Sequence, residues 1–160
     1  MTEKLRLGMR VFLRQATGAK NLRDLLPAVT QENSRRCGFC TDDRHPGDLL
    51  DEGHIDHLLR VAVAEGLDPV TAIRMATLNV AEWFRLRDRG AIAPGRRADL
   101  VVFSDLHDFH AQLVLAGGQL AARHGEPVGE WPKVEVDTSA VRDTVNVDWD
   151  ALSFAIPAPN

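Results

Sequence analysis

The stretch Arg36-Cys37-Gly38-Phe39-Cys40-Thr41-Asp42-Asp43-Arg44-His45-Pro46 decides the fold that we predict for this chain. Its first half is a short apolar segment, which predicts a buried strand at 37–41. Two adjacent carboxylates, Asp42 and Asp43, follow that strand, and Pro46 ends any further pairing. In α/β barrels the chemistry lies at the carboxyl ends of the strands. The pattern therefore predicts a strand that carries an acid to the active end of such a barrel.

Downstream of the acids the sequence becomes helical. Apolar residues at helical spacing predict one helix from about 54 to 65, which Gly66 ends. A second helix begins at Asp68 and Pro69, with the aspartate as N-cap and the proline in the first helical position. The segment 79–82, Asn-Val-Ala-Glu, has the pattern of a capping box and begins a third helix. A strand, a loop and then helices are typical of the end of a strand–helix barrel.

Upstream of the central strand, the sequence predicts a helix, a strand and a further helix. A short charged helix is predicted at 2–7, and a strand follows at 9–13. Leucines at helical spacing predict a helix at 19–26, which Pro27 ends.

A small β unit follows the helices. The residues from 90 to 98 are rich in Gly, Ala and Pro, as turns are. Gly117-Gly118 is the signal of a two-residue hairpin between the last two of three predicted strands, which lie at 99–103, 112–116 and 119–122. Beyond these strands the periodicity fades, and 134–136 and 145–147 are weak candidates for edge strands.

Composition excludes several classes of protein. The 160 residues carry a formal net charge of −4, so the chain has no basic surface of the kind that nucleic acids bind. No apolar run approaches the roughly 20 residues that a membrane helix needs. The first residues lack the apolar segment of a secretory signal. We therefore expect a soluble cytoplasmic protein.

Asp42 and Asp43 are the strongest candidates for chemistry. Adjacent acids on a strand point to opposite faces, so only one of them can face the active end of a barrel. A carboxylate there suits a divalent metal, or a base that takes a proton from metal-bound water. A turn or an N-cap is the alternative explanation for the pair. Arg44 and His45 come next and are close enough to the predicted site to contact a substrate.

The cysteines and two histidines permit other readings. Cys37 and Cys40 have the spacing of a zinc or redox motif, but the sequence has only two cysteines, and both lie within a predicted strand. We predict buried, inert thiols.

His54 and His57 lie three residues apart on one helical face, a spacing that can hold a metal. The alternatives are a solvated first turn, or histidines that order a neighbouring loop.

Longer segments carry a family resemblance. Phe-Cys-Thr-Asp-Asp-Arg-His-Pro at 39–46, with Glu-Gly-His-Ile-Asp-His at 52–57, closely resembles the adenine deaminases of the amidohydrolase superfamily. The resemblance covers most of the chain, through further segments at 4–9, 20–22, 68–79, 90–95, 97–102 and 143–147. Ala-Pro-Gly and Ala-Asp-Leu-Val-Val are common to many amidohydrolases, whereas the pair of segments quoted first is far more specific.

The resemblance implies a metal-dependent hydrolase. A (β/α)8 barrel would hold a pair of divalent ions, manganese or iron, and activate a water. The water attacks the carbon of adenine that bears the amino group, and ammonia leaves to give hypoxanthine, a step of purine salvage. By position, Asp42 matches the acid that binds metal and moves protons, with Asp43 as the alternative. Arg44 and His45 would belong to the substrate pocket, and the complete enzyme is expected to be a homo-oligomer.

The sequence also departs from that family. The early His-x-His metal pair is absent, because no two histidines here are separated by one residue. We therefore expect an α/β chain made of three parts: an incomplete piece of the (β/α)8 amidohydrolase barrel at 1–89, part of a small β-sandwich at 90–126, and a linker with the start of a C-terminal domain at 127–160. One aspartate cannot hold a binuclear site, so the piece alone is expected to be inactive. The alternatives are a non-catalytic structural or interaction module, and another amidohydrolase that acts on cyclic amides or aminated heterocycles.

Overall fold

The computed structural model describes residues 1–130, 137–142 and 145–155, and the chain divides into two compact units, Met1–Gly129 and Glu130–Asn160. In chain order, the elements of the first unit are α1 (Thr2–Arg6), β1 (Val11–Arg14), α2 (Leu22–Leu25), β2 (Cys37–Cys40), α3 (Pro46–Asp51), α4 (Ile55–Ala64), α5 (Pro69–Ala76), α6 (Leu78–Trp83), β3 (Leu100–Phe103), β4 (Ala111–Ala116), β5 (Gln119–Arg123) and β6 (Glu126–Pro127). Short 3-10 turns at Leu26–Ala28 and Ser34–Arg36 connect α2 to β2. The fold is therefore mixed α/β, as predicted.

The strand pair β1–β2 is parallel, with Val11 opposite Cys37 and Arg14 opposite Cys40. Parallel strands need a crossover connection, which α2 and the 3-10 turns supply. This strand–helix–strand unit is the repeating element of α/β barrels. Within the described residues, however, the sheets do not close into a barrel.

The core of the first unit lies between this strand pair and the helices that follow it. Leu13 of β1 and Phe39 of β2 are buried in the same cluster as Leu58 of α4 and Met75 of α5. Phe109, from the connection between β3 and β4, is fully buried in that cluster and packs edge-to-face against a second phenylalanine. The strand pair is thus packed against the helices that follow it in the chain.

The helices predicted after the acids are confirmed. The structure ends α4 just before Gly66, whose φ of +93° is a conformation that glycine adopts readily. Asp68 is the N-cap of α5, because its carboxylate accepts a hydrogen bond from the backbone N–H of Thr71 at 2.8 Å. Upstream, the helix predicted at 19–26 is shorter than expected, because α2 begins only at Leu22. As predicted, this α-helix ends before Pro27, which lies in the 3-10 turn that follows.

The sequence did not predict α3. Pro46 was interpreted only as a residue that ends strand pairing, but it is the first residue of this helix. A proline at that position loses no helical hydrogen bond. The imidazole Nδ1 of His45 caps the helix by accepting from the backbone N–H of Gly47 at 3.2 Å.

The predicted capping box at 79–82 was wrong. Thr77 holds the N-cap position of α6, and Asn79 lies inside the helix with 3% of its surface exposed. The Asn79 side-chain amide donates to the carbonyl oxygens of Ser34 and Cys37, at 2.9 and 2.8 Å. Glu82 does not reach back to cap the helix but forms an ion pair with an arginine. Asn79 is therefore a buried tie between α6 and the start of β2.

The β unit is an antiparallel sheet in the order β3-β4-β5-β6. The three predicted strands are confirmed to within one residue, whereas the short β6 was not predicted. Gly117 and Gly118 both have positive φ, as the predicted two-residue hairpin requires. The candidate strand at 145–147 is not a strand, and the candidate at 134–136 lies outside the described residues. No helix in the described ranges is long and apolar enough to cross a membrane.

Asn79 provides a test that separates a buried tie from a cap. We expect Asn79→Ala to lower the free energy of unfolding by about 2–3 kcal/mol, because two carbonyls in the interior lose their donor. Asn79→Asp should be at least as harmful, since a carboxylate cannot donate to them. An N-cap would tolerate that aspartate well. Urea unfolding of both variants measures the loss of stability, with Glu82→Ala as a surface control. An unfolding midpoint for Asn79→Asp equal to that of the wild type would show that the Asn79 amide is not needed as a buried donor.

Candidate active site

The carboxyl ends of β1 and β2 lie at the same edge of the parallel pair, and the two acids lie just beyond it. β2 ends at Cys40, so Asp42 and Asp43 follow the strand, as predicted. They lie in a turn, so the alternation of faces along a strand does not apply to them. We call residues 41–45 the acid turn. Asp42 has a φ of +58°, which aspartate adopts more readily than most residues, and its carbonyl accepts from the N–H of Arg44 at 2.9 Å.

Asp42 forms an ion pair with the strand next to it. Its carboxylate lies 3.1 Å from the guanidinium of Arg14, the last residue of β1, and Arg14 also donates to the side-chain oxygen of Asn21. Both charged side chains are partly exposed, at 41% for the arginine and 52% for the aspartate. Nothing local in the sequence marks Arg14 as a partner of Asp42, since it is the parallel register that places Arg14 beside Cys40 at the end of β2.

Asp43 faces the loop that follows β1. Its backbone carbonyl accepts from the N–H of Thr17 at 3.2 Å. A Cβ placed on Gly18 would lie 3.3 Å from the Asp43 carboxylate, so this loop and the acid turn approach closely. The two turns thus form one surface at the edge of the strand pair.

The acids do not form a metal site with the neighbours that the structure describes. Among residues 1–130, 137–142 and 145–155, no group of three or more His, Cys, Asp or Glu side chains could hold a metal ion. The charged partner of Asp42 is a cation, Arg14. These residues by themselves therefore do not fit a divalent metal, which needs several converging oxygen or nitrogen ligands.

Arg44 and His45, both predicted to contact a substrate, differ in exposure. The Arg44 side chain is only 2% exposed and donates to the carboxylate of Glu52. Its Nε and Nη1 atoms are buried without a hydrogen-bond partner in the described part of the chain. His45 is exposed and caps α3. The histidine could face a small molecule directly, whereas the arginine lies beneath the turn.

Glu52 connects the segments around the acid turn. Besides Arg44, its carboxylate lies 3.7 Å from the His57 imidazole and 4.0 Å from the Lys20 ammonium. Its backbone carbonyl accepts from Arg60 of α4. Burial lowers the pKa of His57 below its usual value, although the Glu52 carboxylate acts in the opposite direction. One carboxylate thus ties the acid turn to α4 and to the loop after β1.

His54, the residue before α4, and His57, in its first turn, have separate protein partners. His54 Nε2 lies 3.1 Å from the hydroxyl of Thr41, at the start of the acid turn, whereas His57 faces Glu52. Of the alternatives that the sequence left open, this arrangement favours histidines that order a neighbouring loop. The specific segments 39–46 and 52–57 therefore contact each other through side chains.

Both cysteines are free, and they differ in burial. Cys37 is 1% exposed, and burial raises its pKa to about 11. Cys40 is half-buried, and its pKa is raised mainly by burial and further by the Asp42 carboxylate. The buried state predicted for Cys37 is confirmed, while Cys40 is only partly shielded.

The chain is similar to proteins of known type. The family model described as "Amidohydrolase family" matches residues 10–140. The protein named adenine deaminase from Desulfatibacillum aliphaticivorans is 54% identical over 160 residues, which cover 98% of this chain and 27% of the relative. The adenine deaminase of Nitratidesulfovibrio vulgaris strain DP4 is 51% identical, with 99% and 28% covered. Adenine deaminase 2 of Carboxydothermus hydrogenoformans is 48% identical over 145 residues, with 91% and 25% covered. The chain thus spans about a quarter of the length of these curated relatives.

The pair formed by Arg44 and Glu52 should be asymmetric in its effect on stability. Glu52→Gln leaves the buried Arg44 cation without its counter-ion, so we expect it to lower the free energy of unfolding by about 3 kcal/mol. Arg44→Met should cost less, because the partly exposed Glu52 keeps Lys20 and His57 nearby. Urea unfolding of the two single variants and the double variant measures this. Equal small effects of both single changes would show that Arg44 is not held as a buried ion.

The thiols should differ in reactivity. In native protein at pH 7, we expect a thiol reagent to label Cys37 at least about a hundredfold more slowly than the unfolded chain, because a pKa near 11 leaves little thiolate. Cys40 should react at an intermediate rate. Labelling kinetics of Cys37→Ser and Cys40→Ser assign the two rates. Rapid labelling at Cys37, or zinc that copurifies one to one and depends on either cysteine, would overturn the inert interpretation.

Proposed function

The chain belongs to the amidohydrolase family, and we propose that it is the part of an adenine deaminase that carries the acid turn. The proposed reaction is hydrolysis of the exocyclic C–N bond of adenine, which gives hypoxanthine and ammonia. The observation that carries the proposal is an identity of 54% and 51% to two proteins named adenine deaminase, over nearly the whole of this chain.

The acid turn offers the group that this hydrolysis needs. The attacking water must lose a proton, and the departing amine must gain one. A carboxylate in the turn just past a barrel strand can accept the first proton and return it to the amine. We propose Asp42 for this role, with Asp43 as the alternative. His45, which is exposed, would contact the purine, while Arg44 would support the pocket from beneath.

A metal site at the acid turn would need further ligands, which the described part of the chain does not provide. The family resemblance implies two divalent ions, manganese or iron, and Asp42 is our proposed ligand from this chain. The described residues do not fit such a centre alone, because they contain no cluster of three ligands. We propose that the other ligands come from the larger part of the protein that the relatives possess.

Several finer features of the architecture belong to the same proposal. Segment 1–89 would be part of the (β/α)8 barrel, and the sheet β3–β6 within 90–126 would be part of a small β-sandwich. Segment 127–160 would be a linker and the start of the C-terminal domain. The complete enzyme would be a cytoplasmic homo-oligomer with adenine as its substrate.

A second candidate function is a non-catalytic structural or interaction module. It is favoured by one observation: the carboxylate of Asp42 is already paired with Arg14 at 3.1 Å. An acid that serves only to hold two loops together would be placed in this way. The two functions predict different results when this chain is placed inside a complete barrel: a deaminase segment supports deamination there, whereas a non-catalytic module does not.

Activity measurements distinguish these candidates. The chain alone should release no ammonia from adenine, even with added manganese, because one carboxylate cannot hold the metals. A chimera in which this chain replaces the corresponding segment of the Desulfatibacillum aliphaticivorans relative should deaminate adenine. In that chimera Asp42→Asn should lower kcat by at least about a hundredfold, since the amide can neither accept a proton nor bind metal well.

Four outcomes would contradict parts of this account. Turnover by the chain alone would show that its own residues suffice. A chimera that is folded but inactive would favour the non-catalytic module. If the chimera tolerates Asp42→Asn and is inactivated by Asp43→Asn, the roles of the two acids must be exchanged. Activity on other aminated heterocycles in place of adenine would change the substrate.

A further inference from the structure

We propose that Thr17 is a positioning residue whose hydroxyl fixes the conformation of the acid turn. Thr17 lies in the loop after β1, at the edge of the strand pair where the acid turn also lies. Its catalytic consequence rests on the proposed function, in which this turn presents Asp42 or Asp43 to the substrate. Its structural consequence does not depend on that function.

The Thr17 side chain joins the end of the acid turn to the helix that follows. Its hydroxyl oxygen accepts from the backbone N–H of His45 at 2.8 Å. The same hydroxyl donates to the carboxylate of Asp48, in the first turn of α3. The backbone N–H of Thr17 donates to the carbonyl of Asp43 at 3.2 Å. One residue therefore contacts the acid turn twice and α3 once.

The chemistry of these contacts favours a hydroxyl. His45 offers a donor and Asp48 an acceptor, so the group between them must accept one hydrogen bond and donate another. A threonine or serine hydroxyl can do both, whereas valine, which has the shape of threonine, can do neither. The pKa of Asp48 lies below its usual value, chiefly because the Thr17 hydroxyl bonds to the ionised carboxylate.

The loop that carries Thr17 is a tight turn, and its internal hydrogen bonds fix the position of Thr17. The N–H of Ala16 donates to the carbonyl of Ala19 at 3.1 Å, and Gln15 and Lys20 form an antiparallel bridge across the turn. Ala16 is fully buried, and Gln15 is 7% exposed. Thr17 is therefore attached to the core through the residues before it.

Other contacts hold the beginning of the acid turn. Arg14 pairs with Asp42, and the N–H of Gln15 donates to the carbonyl of Cys40 at 3.1 Å. The Thr17 hydroxyl acts at the other end, at His45. Removing the hydroxyl should leave the beginning of the turn held and loosen its end, where the backbone leads into α3.

Hydrogen exchange on the full 160-residue chain tests the structural part. In Thr17→Val, exchange of the His45 amide should accelerate by roughly tenfold, because its acceptor is lost. Thr17→Ser should restore the wild-type rate, and amides in α4 should not change in either variant. The pKa of Asp48, followed by carboxyl NMR, should rise in Thr17→Val and not in Thr17→Ser.

Thr71→Val is a matched control. The Thr71 hydroxyl helps to hold the pKa of Asp68 below its usual value at the start of α5, so this change also removes a hydroxyl beside an aspartate at a helix start. It should leave exchange at His45 unchanged. Equal acceleration in Thr71→Val and Thr17→Val would show a general loss of stability and would overturn the specific role of Thr17.

Kinetics in the chimera described above test the catalytic part. Thr17→Val should lower kcat by roughly tenfold with a smaller change in KM, because binding surfaces remain while the acid is displaced, and Thr17→Ser should restore kcat. A wild-type exchange rate at His45 in Thr17→Val overturns the proposal. Faster exchange with an unchanged kcat overturns the positioning role. If the unmutated chimera is inactive, the proposed function fails, and the exchange rates alone decide whether Thr17 fixes the turn.

Discussion

Parallel pairing of β1 with β2 is the constraint on which the candidate site depends. Both strands end at the same edge, and the register places Arg14 beside Cys40. The loops that continue from these residues are therefore forced into contact. The ion pair between Arg14 and Asp42 and the hydrogen bonds of Thr17 with His45 and Asp43 are consequences of that contact. A slip of one residue would turn the buried faces of the strands outward and separate the partners.

The two segments that carry the strongest family resemblance are connected by direct contacts. Arg44, in the first segment, is buried against Glu52, in the second. Thr41 and His54 form a second link between them. The two segments 39–46 and 52–57 resemble those of adenine deaminases in sequence. In this chain they also supply the contacts that hold the acid turn close to the start of α4. The two acids and His45 are exposed.

Local signals in the sequence were sufficient where the structure depends on local interactions. Asp68 and Gly66 mark the limits of α5 and α4 because capping bonds and positive φ involve only neighbouring residues. The same kind of reasoning failed at Asn79, since its side chain bonds to carbonyls 42 and 45 residues away in the chain. It also missed α3, although a proline at a first helical position is a known local signal.

The sequence alone determined that an apolar strand leads to Asp42 and Asp43, that helices and a β hairpin follow, and that the pattern is that of an amidohydrolase. These features depend on periodicity, turn residues and motif spacing, all of which are local patterns in the sequence. The tertiary structure decided which side chains meet there: Asp42 pairs with Arg14, and the buried Arg44 pairs with Glu52. Such contacts depend on strand register and burial, and those are properties of the packed chain as a whole.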